Sequence, residues 1–172
     1  MLLNGEADIG IATEALADVP ELESHPCYSW HHAVVVPKDH PLAAHAVPPA
    51  PTFLAPPTPS PTLADIAAHP IVTYHEGFTG RAQIDRAFAD AGQSIDIVLS
   101  AIDADVIKTY VESGLGVGIV APMAYDPVKD ADLVLIPCAH LFPENTTRVA
   151  VRRGVFLREY ARRFVAMVSR ES

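Results

Sequence analysis

Short β-branched runs alternate with amphipathic stretches along most of this chain. That alternation restricts the fold more than any other feature. Runs at 32–36, 71–74, 95–99, 117–120, 133–136 and 147–151 are dominated by Val, Ile and Leu and are too short for helices. Between them, Ile84, Ala87, Phe88 and Ala91 recur at i, i+3, i+4 and i+7 and predict a helix over 80–91. Thr79 is placed to cap its start and Gly92 to end it. Residues 63–68 read as a short helical turn before Pro70. Asp103 is placed to cap a helix that turns Ile107, Tyr110, Val111 and Leu115 inward. A last helix directs Leu157, Tyr160, Ala161, Phe164 and Val168 inward and Arg158, Arg162 and Arg163 outward. The rhythm predicts an α/β fold with a mostly parallel, helix-covered sheet.

Proline interrupts the rhythm once. Nine of the sixteen prolines fall between Pro37 and Pro61. Proline lacks a backbone donor and fixes φ, so this stretch can be neither helix nor central strand. It reads as an extended, solvated surface loop, with a PxxP ligand as the competing reading.

Of the 172 residues 49% are hydrophobic, enough for a sizeable core, and the formal net charge is −9. An acidic chain does not grip nucleic acid, which needs clustered Lys and Arg. The late arginines, Arg148, Arg152, Arg153, Arg158, Arg162, Arg163 and Arg170, read as a solvated helix face. Cys27 and Cys138 are isolated and lack metal spacing, as in reduced cytosolic proteins. No leader pattern and no apolar run of membrane-spanning length occur, which predicts a soluble, cytoplasmic protein with no membrane partner.

Catalytic signatures are missing from the sequence. His31 and His32 are adjacent and point to opposite faces of a strand, and the other six histidines show no ligand spacing. There is no GxSxG elbow, and neither cysteine has a legible activating partner. The expectation is no metal, no cofactor and no enzyme activity.

Two segments point to ligand binding instead. Asp8 to Ala12 reads as a short buried parallel strand ending at Thr13, and ligands of open α/β sheets bind at the carboxyl ends of strands. Thr79-Gly80-Arg81 lies at a helix start, where backbone N–H groups and the helix dipole favour an anion. Gly77 and Gly80 let a ligand approach the backbone closely. Thr79 as a plain helix cap is the competing reading. The run Gly114-Leu115-Gly116-Val117-Gly118 looks like a phosphate loop but leads from helix to strand, the reverse of such loops. It reads as a helix stop and a tight turn into a buried strand.

Longer segments carry a family resemblance. They are Asn4-Gly5-Glu6-Ala7-Asp8-Ile9, Ile11-Ala12-Thr13-Glu14-Ala15, Leu22 through Pro26-Cys27-Tyr28 with Trp30, and Asp39-His40-Pro41-Leu42. Gly77-Phe78-Thr79-Gly80-Arg81, the run from Asp103 through Val111 to Gly118, Asn145-Thr146-Thr147 and Phe156-Leu157-Arg158 complete the set. On these the chain resembles the effector-binding domain of LysR-type transcriptional regulators, within them the activators of the cysteine regulon. The resemblance implies a two-subdomain, periplasmic-binding-protein-like (type 2) fold with the effector in the cleft between subdomains. It divides the chain into about 1–27 plus 145–172, and about 28–144, with the proline-rich insertion at about 43–61. It carries ligand contacts onto Thr13 and Thr79, the latter with Gly80, and sets Trp30 beside the cleft. It implies acetylated serine or sulfate as effector. It also implies a homo-tetrameric parent that reaches promoter DNA only through a helix-turn-helix domain.

That helix-turn-helix, its linker helix and the first strand and helix of the first subdomain have no counterpart in the sequence. The chain thus reads as a domain cut through its first subdomain. The alternative function is a free solute-binding protein for sulfate or an amino acid derivative. A small acyl- or sulfo-transferase is a third class, and it lacks a catalytic constellation.

Overall fold

Val34, Val35 and Val36 are fully buried although consecutive side chains on a strand point to opposite faces. A strand of this kind must be covered on both sides. Val34 and Val36 pack with Ile66, Ile84 and Phe88, whereas Val35 packs with Val72, Ile107 and Val111. One sheet thus separates two apolar layers.

The computed structural model describes residues 1–13, 16, 19–46, 60–78 and 80–169. In chain order their strands and helices are β1 (Ile9–Ala12), β2 (Leu22–Trp30), β3 (Ala33–Pro37), α1 (Leu63–Ala67) and β4 (Ile71–Tyr74). There follow α2 (Arg81–Asp90), β5 (Ile97–Ala101), α3 (Ala104–Glu112), β6 (Val117–Val120), β7 (Leu133–Pro137), β8 (Asn145–Arg152) and α4 (Glu159–Val168). They form two compact units, Met1–Trp30 with Asn145–Ser172, and His31–Glu144.

The second unit holds a five-stranded sheet in the order β5-β4-β6-β3-β7. β4 runs parallel to β5 and β6, whereas β3 runs antiparallel to both β6 and β7. The sheet is therefore mixed rather than mostly parallel. Parallel neighbours need a crossover, which α2 and α3 supply for β4, β5 and β6. β3 enters the sheet in the opposite direction. A strand buried on both faces carries the same apolar run in either direction, so the sequence pattern is blind to this choice. The fifth strand lies at Ile97–Ala101, two residues beyond the run that predicts it.

Capping residues fix the helix ends. Thr62 and Asp65 form a reciprocal capping box at the start of α1. The Asp103 carboxylate accepts the Asp105 amide at 2.6 Å at the start of α3, as the sequence predicts. Gly114, with φ +83, stops α3, so the glycine-rich run is indeed a helix stop and not a phosphate loop.

The first unit holds a three-stranded antiparallel sheet, β1-β8-β2. Ile9 to Ala12 pair with Val151 to Arg148. The expected parallel β1, covered on both faces, is thus corrected: β1 is antiparallel and ends the sheet, and Ile11 is 55% exposed. β2, the longest strand, escapes sequence periodicity because Pro26 interrupts it. Proline is tolerated there because β2 is the other end strand and its register shifts between Pro26 and Tyr28. In α4, Ala161 is buried, but Tyr160 is 62% exposed and Phe164 is also on the surface, so the predicted inward face is only partly realised. Most of the proline-rich loop reading, residues 47–59, lies outside the described residues.

Candidate functional site

Because β4, β5 and β6 are parallel, their carboxyl ends lie at one end of the second sheet. That end is where ligands of α/β sheets bind. The chain is held tightly there. The His75 amide donates to Ala101 O at 2.8 Å, joining the ends of β4 and β5. The Ala121 amide donates to the Tyr74 hydroxyl oxygen at 3.1 Å, joining the ends of β4 and β6. Burial pushes the Tyr74 phenol above its usual pKa, against the opposing pull of the Ala121 amide, so the ring stays neutral.

Helix α2 starts at the same end. Its N-cap is Gly80, buried and left-handed with φ +71, a conformation that side chains rarely adopt. The cap position therefore belongs to Gly80 and not to Thr79, which was expected to cap the helix and which lies outside the described residues. Gly80 makes no side-chain cap bond. Arg81, the first helical residue, does not reach for solvent. It is 7% exposed, and its guanidinium donates to Tyr74 O at 2.6 Å, Asp85 Oδ1 at 2.8 Å and Ser100 Oγ at 3.4 Å. Its charge is satisfied inside the protein and braces the helix start against β4 and β5.

The other two predicted ligand residues belong to the first unit. Thr13 follows the last residue of β1 and is half-buried. Trp30 ends β2 and is 6% exposed, and its indole N–H donates to Thr147 Oγ1 at 3.1 Å. That bond locks the ring onto β8 and explains why a large aromatic is ordered at the end of a strand. Gly80 is thus brought together with Tyr74 and Arg81, and Trp30 with Thr147.

Sequence reasoning missed a buried lysine. Lys108 Nζ donates to Ala124 O at 2.7 Å and Asp130 Oδ2 at 2.9 Å and pairs with Asp105 Oδ1 at 3.0 Å. Asp130 Oδ2 also accepts the Asp126 amide at 2.8 Å. The cluster pins the segment after β6 onto α3. Its only trace in the sequence is a lysine beside Ile107 on the apolar face of a helix. Every donor here has a partner inside the protein, so the cluster is structural.

Cys27 and Cys138 are both buried free thiols. Among the described residues no group of His, Cys, Asp and Glu is arranged to hold a metal ion, and no helix is long and apolar enough to cross a membrane.

Comparison with known proteins adds the family. The model of the LysR substrate binding domain matches residues 1–172. The chain is 54% identical over 167 residues to the HTH-type transcriptional regulator SsuR of Burkholderia cenocepacia, covering 97% of this chain and 50% of that protein. It is 50% identical over 169 residues to CysB of the same organism, covering 98% and 50%. It is 45% identical over 167 residues to Cbl of Escherichia coli, covering 97% and 49%. The chain thus spans about half the length of these relatives, which are regulators and not enzymes. Among solved structures, the cofactor-binding domain of the Cbl transcriptional regulator superposes with a TM-score of 0.83 at 44% identity, covering 98% of this chain and 68% of that one. The effector-binding domain of QuiR, solved with shikimate, superposes with a TM-score of 0.78 at 17% identity, a likeness of fold alone. These neighbours have the type 2 periplasmic-binding-protein-like fold, and this chain shares it. The chain belongs to the LysR-type transcriptional regulators and is an effector-binding domain related to the regulators SsuR, CysB and Cbl.

Proposed function

We propose that this domain senses an acetylated serine, a direct precursor in cysteine synthesis, or sulfate, on behalf of a regulator of sulfur assimilation and cysteine biosynthesis. The observation that carries the reading is the identity of 54%, 50% and 45% to SsuR, CysB and Cbl along nearly the whole chain. Thr13, Trp30, Thr79 and Gly80 are the proposed ligand residues. Gly80 supports this assignment, because it starts α2, where helix N–H groups favour an anion, at the carboxyl end of the parallel strands. The reading divides the domain into about 1–27 with 145–172, and about 28–144.

Binding would act by population shift. An effector that favours one arrangement of the domain re-poses the DNA-binding parts of a homo-tetrameric parent at its promoter, and it can do so only by its differential affinity for the two states. In this reading the protein works in the cytoplasm, where its DNA is.

Calorimetric titration with N-acetylserine, O-acetylserine and sulfate tests the reading. At least one is expected to bind saturably, and Thr79→Ala is expected to weaken it. A lowered melting temperature with unchanged affinity would leave Thr79 a structural residue. Absence of heat with all three compounds would remove the proposal.

A further inference from the structure

The turn between β4 and α2 has an exposed surface that the fold does not require. All of β4 is buried, yet His75, Glu76, Gly77 and Phe78 are exposed, and Phe78 keeps 46% of its surface in solvent. The turn is nonetheless well braced. His75 N donates to Ala101 O at 2.8 Å, Phe78 N to His75 O at 3.1 Å, and Arg81 N to Phe78 O at 3.0 Å. Gly77 supplies the left-handed residue, with φ +81, that such a turn needs.

Two side chains are presented on this braced turn. His75 Nδ1 lies 3.0 Å from Glu76 O. A carbonyl only accepts, so Nδ1 carries a proton, and in the tautomer with Nδ1 alone protonated Nε2 is an acceptor. Nε2 has no partner among the described residues. The Phe78 and His75 rings form a T-shaped pair, with centroids 6.2 Å apart and planes at 76°. An apolar face and a hydrogen-bond acceptor are therefore fixed side by side, in the residues immediately before Thr79 and Gly80.

We propose that His75 and Phe78 determine effector specificity, favouring an acyl-bearing amino acid derivative over inorganic sulfate. Phe78 covers the acyl group, and His75 Nε2 accepts an N–H or O–H from the ligand. Sulfate has neither an apolar group nor, when ionised, a donor, so it gains nothing from this pair. The backbone of the helix start serves the anionic part of either ligand. The inference rests on the proposed effector site and deepens it.

The test is a competition between ligand classes on the chain carrying Phe78→Ala, His75→Ala or His75→Gln. Both side chains are exposed, so the melting temperature should be unchanged, which separates folding from binding. Phe78→Ala and His75→Ala should each weaken N-acetylserine about tenfold while sulfate affinity stays within about twofold. His75→Gln retains a carbonyl acceptor and should recover part of the loss. Equal losses for both ligands, or no loss for either, would overturn the specificity role while leaving the site itself standing. If the unaltered chain binds neither ligand, the inference falls together with the site.

Discussion

Arg81 Nη1 donates to Tyr74 O at 2.6 Å, tying the first residue of α2 to the last residue of β4. The same guanidinium reaches Asp85 and Ser100, so one buried cation joins a helix, its own next turn and the neighbouring strand. A lysine offers no planar fork and cannot make this set. Arg81→Lys and Arg81→Ala should both destabilise the chain, Arg81→Ala by about 3 kcal/mol, since it leaves a buried carbonyl unpaired. Urea denaturation should show a lower midpoint with an unchanged slope.

Gly116 and Gly92 meet different constraints. A Cβ on Gly116 would overlap the backbone carbonyl of Pro70, which accepts the Val117 amide at 2.8 Å. Backbone cannot step aside as a flexible side chain can, so Gly116→Ala should cost about 3 kcal/mol. Gly92, with φ +67 and open space around it, serves as the control. Gly92→Ala should cost only about 1 kcal/mol, through its left-handed backbone. Thermal melts of the two variants should preserve that order.

The Lys108–Asp130 pair should be visible in the pH dependence of stability. Burial works against both charges. For Lys108 it is outweighed by the hydrogen bonds with Asp130 and Asp105, which hold the amine above its usual range. For Asp130 it is outweighed by the Lys108 bond and the Asp126 amide, which hold the carboxyl below 3.8. A depressed carboxyl stabilises the fold above its unfolded value, and that contribution fades as the pH falls through the folded value. A raised amine does so below its unfolded value and fades as the pH rises through the folded one. Asp130→Asn should lower stability at neutral pH by about 2 kcal/mol and flatten the acid limb below about pH 4. Denaturant midpoints measured across that range check both.

Cys138 should be inert in the folded protein. Burial pushes its thiol up to about 11, and its S–H points to Ile136 O at 3.3 Å. The thiolate is the reactive form, so iodoacetamide at mildly alkaline pH should leave Cys138 unlabelled until urea opens the second unit. Mass spectrometry of the labelled peptides reads this directly.

The sequence alone determined the local features of this protein. Val34 to Val36, Ile71 to Tyr74 and Val117 to Val120 read as buried strands because only full burial on two faces tolerates such unbroken apolar runs. Asp103 and Gly114 read as the ends of α3 because caps and left-handed glycines act through neighbouring backbone alone. The family resemblance was legible for the same reason, being written in contiguous motifs such as Asp103 to Val111. The tertiary structure decided whatever depends on a partner distant in the chain. It reversed β3 within the sheet, a direction that an apolar run does not encode. It accommodated Pro26 in β2, because only pairing with β8 shows that this strand lies at an end of its sheet and has a shifted register. It buried Arg81 and Lys108, whose partners Tyr74 O, Asp130 and Ala124 O are brought to them only on folding. A sequence records each residue's own preference, and burial of a charge or direction of a strand is a property of the pair that forms on folding.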